Sequence, residues 1–285
     1  TSSRSNNFQM ITWIASYPKS GNTWVRSLLI GYLYSKTGKF NFNLLGKIPH
    51  FPHQRFFKEF KAERNNIPNV AASWIKAQQL IIKHNKGDVY LKTHSALASL
   101  EGYPFTAEHV SKAVIYIVRD PRALITSFAS HFSRTLPEAL NFMKDSNQFL
   151  MEHPGVATVL GSWADNYNSW KQASDPQSPS IEIPLLIVKY EDLVKNPTSV
   201  FKKILKFLKI KINNKKFKAA LKSCDFKVMV KNEKKFPEAA SNKRGKRIDF
   251  FSLGPNHNWK KTLDPKIAKE LKKAFKKEMK ELGYI

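Results

Sequence analysis

Five consecutive residues, Lys19, Ser20, Gly21, Asn22 and Thr23, place a fixed cation, two hydroxyls, an amide and a flexible backbone position at one turn. They follow the apolar run Trp13-Ile14-Ala15 and a break at Pro18, and they lead into an apolar-periodic stretch that starts at Trp24. Strand, tight turn and helix start fit that order. A helix N-terminus carries unpaired N–H donors and partial positive charge, so such a turn suits a phosphate. Gly21 lets the backbone come close, and Lys19 adds a full charge aimed at the same place. The plain alternative is an ordinary strand-to-helix connection. Three further polar residues close apolar runs: His94 after Val89–Thr93, Arg119 after Lys112–Val118, and Tyr190 at the end of the run from Leu185. An imidazole titrates near neutral pH and can take a proton from a hydroxyl or amine. Each also has a structural reading: His94 as a satisfied strand-end histidine, Arg119 as the partner of Asp120, and Tyr190, Trp24 and Phe226 as core.

The elements that must position these residues alternate. Apolar runs at the opening strand, Val89–Thr93, Lys112–Val118 and Leu185–Tyr190 read as buried strands. Helical periodicity covers Thr23–Lys36, Ser73–Lys86 with Ser73 as its cap, Arg122 to about His131 after Pro121, stretches near Pro137–Met151 and Val156–Ala173, Phe201–Leu208, Asn214–Ser223 and a long closing helix Asp264–Leu282. Thr37–Val70 reads as an irregular, Phe-rich stretch. Strands that are nearly all apolar and separated by helices predict a single α/β domain with a mainly parallel sheet covered on both faces. Ligands of such sheets bind beyond the carboxyl ends of the strands, where Lys19, His94, Arg119 and Tyr190 all stand.

Composition bounds the partners. A chain of 285 residues with 42% hydrophobic and 12% aromatic residues is long enough for a sizeable core. One cysteine, Cys224, excludes an internal disulfide framework and fits a reducing, cytoplasmic setting. No run of roughly 18 apolar residues is present, so no transmembrane helix is expected. Thr1–Gln9 is polar and lacks the apolar stretch of a signal peptide; it reads as a loose tail or cloning remnant ahead of a domain spanning 10–285, with Met10 a candidate natural start. The formal net charge is +26, and Phe201–Ile285 alone carries 26 basic against 8 acidic residues. That field favours anionic ligands and surfaces. The turn is not a Walker A loop, because its lysine precedes the glycine, and apart from Asp120 no acidic residue closes a strand to hold Mg²⁺. A nucleotide kinase is therefore disfavoured. The scattered histidines suggest no metal site.

Tyr17-Pro18-Lys19-Ser20-Gly21-Asn22-Thr23-Trp24 resembles the YPKSGTTW loop of the cytosolic-type sulfotransferases, which transfer a sulfuryl group from 3′-phosphoadenosine 5′-phosphosulfate (PAPS). Lys92-Thr93-His94 is similar to that family's KTH segment, Arg119 and Ser127 to its 3′-phosphate pair, Tyr190-Glu191-Asp192 to its YED segment, and Cys224–Met229 to its T-S-F-x-x-M segment. Gly254 to Trp259 resembles the end of R-K-G-x-x-G-D-W. The resemblance runs from Ile11 to Lys261 and implies a P-loop-like, nucleotide kinase-like fold. It implies PAPS as co-substrate without a metal and His94 as base, with Lys19 and Lys92 stabilising the transferring group. It further implies nucleotide contacts from Ser20, Gly21, Asn22, Thr23, Trp24, Arg119, Ser127, Tyr190, Phe226, Ser252, Leu253 and Gly254. The acceptor it implies is a small molecule, a lipid or a sugar.

The departures are local. Asn22 replaces a threonine, Ser95-Ala96 replaces Leu-Pro, and Ser252-Leu253-Gly254 stands where the family has R-K-G. The two usual 3′-phosphate cations are missing there. Arg244, Lys246 and Arg247, just upstream, either replace them or form a solvated lid. The family's K-x-x-x-T-V-x-x-x-E dimer segment is not met, which leaves the oligomeric state open. The competing class is a non-catalytic protein that uses its basic C-terminal region to bind nucleic acid or another acidic surface. On the family resemblance, nucleic acid is not an expected partner.

Overall fold

A computed structural model describes residues 9–60, 66–151, 156–174, 181–233 and 258–285. Strand β1 (Ile11–Ser16) has every residue buried, which only a central strand with both faces covered allows. It pairs in parallel with β2 (Val89–Thr93) on one side, in the register Ile14↔Lys92, and with the later β5 (Ser111–Val118) on the other, in the register Ser16↔Ile117. Between β2 and β5, β3 (Ser99–Leu100) and β4 (Tyr103–Pro104) make a small antiparallel ribbon, and β6 (Phe149–Leu150) pairs β7 (Thr158–Val159) in another. Strand β8 (Leu185–Lys189) completes the four-stranded parallel sheet β2-β1-β5-β8. The chain leaves β1 toward β2, then crosses back to β5 and on to β8. The order therefore reverses between β1 and β5, and a crevice opens there at the carboxyl ends.

Alternate side chains divide the core into two layers. Trp13, Leu91, Val114 and Tyr116 point into one, where Trp13 sits wholly buried with its indole N–H on Ser111 Oγ at 2.8 Å. Helices α2 (Ile67–Ala72), α3 (Trp74–Lys83), α4 (Pro121–His131), α5 (Leu136–Lys144), α6 (Trp163–Lys171) and α12 (Pro265–Ala274) cover it. Ile14, Tyr90, Ile115 and Ile117 point the other way, under α1 (Asn22–Tyr34), α8 (Pro197–Phe207) and α9 (Asn214–Ser223). Short helices α7 (Tyr190–Lys195), α10 (Phe226–Glu233), α11 (Trp259–Thr262) and α13 (Lys276–Glu281) fill the connections. No helix among the described residues is long and apolar enough to cross a membrane.

Several sequence expectations need correction. Residues 145–151 and 156–162 are not helical: Gln148 carbonyl takes the N–H groups of Leu160 and Gly161, and the β6–β7 ribbon forms instead. Helix α6 starts only after Ser162, whose capping box with Asp165 sets its first turn. Ser73 does not cap α3 with its side chain; its hydroxyl donates to Asn69 carbonyl, and it marks the joint with α2, a helix inside the stretch read as irregular. The closing helix is two, broken at Phe275, whose backbone (φ −116°, ψ 27°) leaves the helical range as its buried ring packs 5.1 Å from that of Trp163. Tyr190 opens α7 rather than ending β8.

Phe201 of α8 is fully buried and stacks on Phe217 of α9 at 5.2 Å. Phe201→Ala should cost about 3–5 kcal/mol, read as a lower urea midpoint with unchanged slope. A loss below about 1 kcal/mol would mean that this layer re-packs without it.

Candidate active site

The β1–α1 turn is built as an anion cradle. Lys19 has a left-handed backbone (φ 68°), and Gly21 (φ 99°) caps α1 from the same region. A Cβ on Gly21 would lie 2.5 Å from the ring of Tyr190, so glycine is needed for space as well as conformation. Trp24 and Val25 N–H groups bond Gly21 carbonyl, and it is the Asn22 and Thr23 N–H groups that open the helix without a carbonyl one turn back. Asn22 turns inward: its amide donates to Ile14 carbonyl (2.9 Å) and Ser16 Oγ (3.1 Å), which ties the helix start to the end of β1. Ser20 Oγ, Asn22 Oδ1 and Arg119 Nε are buried with no hydrogen-bond partner.

The structure brings most of the predicted residues to this crevice. Arg119, at the end of β5, donates to Lys19 carbonyl at 3.3 Å and lays its guanidinium 4.3 Å from the centre of the Tyr190 ring. Trp24 meets the same ring edge-on at 6.1 Å and donates its indole N–H to Cys224 carbonyl at 2.9 Å; Phe226, two residues on, opens α10. Thr23 is buried in the first turn of α1, and Ser127 is buried two turns into α4. Behind Arg119, Glu191 accepts Asp120 N–H at 3.0 Å and the Tyr284 hydroxyl at 2.9 Å, locking the ends of β5 and β8 to the C-terminus. Ser252, Leu253 and Gly254, and with them Arg244, Lys246 and Arg247, lie outside the described residues.

His94 stands across from the turn. Its Nδ1 lies 2.7 Å from Ser16 carbonyl, an atom that can only accept, so the ring donates there and Nε2 keeps its lone pair. Its own carbonyl accepts from Asn166 Nδ2 at 3.0 Å; that amide also donates to Leu160 carbonyl, and its oxygen takes the Tyr116 hydroxyl at 2.8 Å. Burial, then the Lys92 charge, holds the His94 imidazole well below 6.5; the Ser16 carbonyl opposes this, and Arg26 and His131 add to it.

Two residues of this site escaped the sequence reading. Residues 49–51 run beside β2: Lys92 N–H bonds Pro49 carbonyl and Phe51 N–H bonds Lys92 carbonyl, both at 2.8 Å. That pairing puts the His50 ring 5.8 Å from His94. Arg26 steadies the approach by donating to Leu45 and Ile48 carbonyls. Burial, then Lys92, keeps His50 well below 6.5 too. Asn166 is the other; nothing in the sequence of a helix marks an asparagine that will bridge two distant carbonyls.

The sulfotransferase-domain family model matches residues 11–283. The chain belongs to the sulfotransferase family. Among curated sulfotransferases, the luciferin sulfotransferase of Photinus pyralis is 27% identical over 77% of this chain, a match that spans 56% of that protein. The amine sulfotransferase of Oryctolagus cuniculus is 22% identical over 94% of this chain and 80% of its own length. Among solved structures, a mouse sulfotransferase complexed with PAP is 19% identical with a TM-score of 0.59, covering 95% of this chain and 84% of that one. That likeness is one of fold.

Both imidazoles of this sulfotransferase should be neutral at about pH 6 in the nucleotide-free protein. Their depressed values contribute stability that is whole above the unfolded value of about 6.5 and is lost as pH falls. Ring ¹⁵N shifts should report a neutral His94 with its proton on Nδ1; a protonated ring at that pH would contradict this geometry.

Proposed function

We propose that this sulfotransferase moves a sulfuryl group from PAPS to a hydroxyl or amine of a small-molecule acceptor, with His94 as general base. The observation that carries the reading is the bond from His94 Nδ1 to Ser16 carbonyl. It leaves Nε2 basic and fixes the ring at the end of the strand that leads into the anion turn. PAPS supplies an activated sulfuryl group on a phosphate that can leave. The residues present fit it: Ser20 Oγ and Arg119 Nε are buried polar atoms in want of a partner, and Gly21 leaves room for close backbone approach.

In this reading the N–H groups of Ser20 to Thr23 hold the 5′-phosphate, and Lys19 stabilises the charge that grows on its oxygen. Lys92 faces the transferring group. Arg119 and Ser127 hold the 3′-phosphate, and Trp24, Tyr190 and Phe226 border the adenine. Ser252, Leu253 and Gly254 belong to the same nucleotide set. His94 Nε2 takes the proton of the attacking hydroxyl or amine as the new S–O or S–N bond forms and the S–O bond to phosphate breaks. Most of the work is positioning and charge stabilisation. Relatives named for luciferin and amine substrates support a small acceptor; a lipid or a sugar presents the same hydroxyl chemistry. A cytoplasmic setting accords with a single, buried cysteine.

His94→Ala should abolish transfer while 3′-phosphoadenosine 5′-phosphate (PAP) still raises the melting temperature more than AMP does. Full turnover in that variant would end the mechanism; loss of the PAP preference in the wild type would end the nucleotide assignment. Asn166 touches no substrate in this reading and acts through His94. Asn166→Ala should lower kcat by up to about a hundredfold with PAP affinity nearly unchanged, measured by transfer assay and calorimetry. An unchanged kcat would remove it from the positioning of the base.

A further inference from the structure

The nucleotide site leaves most of the molecule's positive charge unused. Residues 193–224 hold ten lysines and no aspartate or glutamate. They form the outer layer of one face. In α8, Phe201, Ile204 and Leu205 are buried while Lys202, Lys203 and Lys206 are exposed; in α9, Phe217 and Ala220 are buried while Lys215, Lys218 and Lys222 are exposed. Ion pairs among the described residues join Lys112 to Asp88, Arg122 to Asp120, Lys144 to Glu270 and Lys171 to Glu281, and none involves this face.

The turn between α8 and α9 differs from the rest of that face. Lys206-Phe207-Leu208-Lys209-Ile210-Lys211-Ile212 intersperses exposed lysines with four apolar residues that are each only partly buried. Its place is set by Tyr32, whose hydroxyl donates to Lys211 carbonyl and accepts Asn213 N–H, both at 2.8 Å. Tyr32 lies at the far end of α1, about 12 Å along the helix from Trp24 at the nucleotide turn. The other end of α9 returns to that turn, where Cys224 carbonyl meets Trp24. The lysine-apolar turn therefore lies at the end of α1 and α9 that points away from the nucleotide turn.

We propose that this turn, backed by the lysine face of α8 and α9, docks the protein on an anionic lipid bilayer, with the active-site mouth held away from the membrane. Two signals are needed for stable attachment at a bilayer surface, apolar burial and charge attraction, and this turn carries both. Nucleic acid is a poorer fit. Residues 193–224 contain no arginine to fork onto phosphates, and of their aromatics Phe201 and Phe217 are buried, which leaves Phe207 alone partly open to a stacking base. Lysine ammoniums respond to charge density, which a sheet of anionic headgroups supplies. This separation has a further consequence: transfer to a soluble acceptor is independent of docking.

The test is co-sedimentation with vesicles of phosphatidylcholine containing about 30% phosphatidylserine, against pure phosphatidylcholine, with a short DNA duplex as a third arm. Each lysine near an anionic surface strengthens binding roughly fivefold. The triple variant Lys206→Glu, Lys209→Glu, Lys211→Glu should bind the anionic vesicles at least tenfold more weakly, with PAP affinity and turnover on a soluble acceptor unchanged. Pure phosphatidylcholine should not hold the wild type, and raised salt should release it from the anionic vesicles. Failure of the wild type to sediment with anionic vesicles would overturn the proposal. So would equal binding by the triple variant, or a duplex that binds through these lysines more tightly than the vesicles do. Lys206→Arg, Lys209→Arg, Lys211→Arg, which keeps the charge, should bind vesicles like the wild type; its failure to do so would also overturn it.

Discussion

One hydrogen bond organises this site: His94 Nδ1 to the carbonyl of Ser16. It joins the end of β2 to the end of β1, and the carbonyl, which can only accept, decides which ring nitrogen carries the proton. The parallel register Ile14↔Lys92 and Ala15↔Thr93 is what brings the two strand ends level. A slip of one residue would turn Lys92 to the other face of the sheet and carry His94 off the carbonyl. The buried layers on both faces forbid that slip, because it would drive Leu91 and Tyr90 into each other's places. Packing far from the crevice thus sets a proton's position within it.

The anion turn depends on closeness in a different way. Tyr190 opens α7 directly after the last strand of the sheet and Gly21 lies in the turn after the first, and no Cβ fits between them. Arg119, from the strand between, is sandwiched by the Tyr190 ring and Lys19 carbonyl. Three strand ends therefore converge on one guanidinium, and Glu191 fastens two of them through Asp120 N–H. Burying an arginine beside a half-buried lysine costs electrostatic energy, which an anion offsets. The left-handed Lys19 and the unpartnered Ser20 Oγ and Arg119 Nε sit in the same few residues, as strain at a ligand site commonly does.

The strands and the turn were legible because an apolar run that stops at a charged or aromatic residue has few other readings. Asn214–Ser223 was legible for a similar reason, since Asn213 caps it and its apolar residues keep helical spacing. Residues 145–151 and 156–162 were not. Their apolar residues suit a helix as well as a ribbon, and Gln148 carbonyl, by taking Leu160 and Gly161 N–H groups, decides between them. His50 was hidden because residues 49–51 have no periodicity of their own; they are extended only because Lys92 offers both a carbonyl and an N–H at the open edge of β2. Asn166 was hidden because its role belongs to the gap between α6 and β2, which no local pattern encodes.

The electrostatics of the pair His50 and His94 bear on how the proposed base is controlled. Neither ring has a carboxylate among the causes that shift it; burial, Lys92 and Arg26 all push toward the neutral form. Such a base is correctly protonated for its task but weak, because the same cations that keep it neutral oppose the proton it must accept. The anionic group that Lys92 faces on the proposed reading offsets that opposition, and the proton affinity of His94 rises as it does. On the proposed reading the base gains strength only when the anionic nucleotide is in place. On that reading Lys92 serves two ends with one charge: it faces the transferring group, and it delays the proton transfer until the nucleotide has arrived.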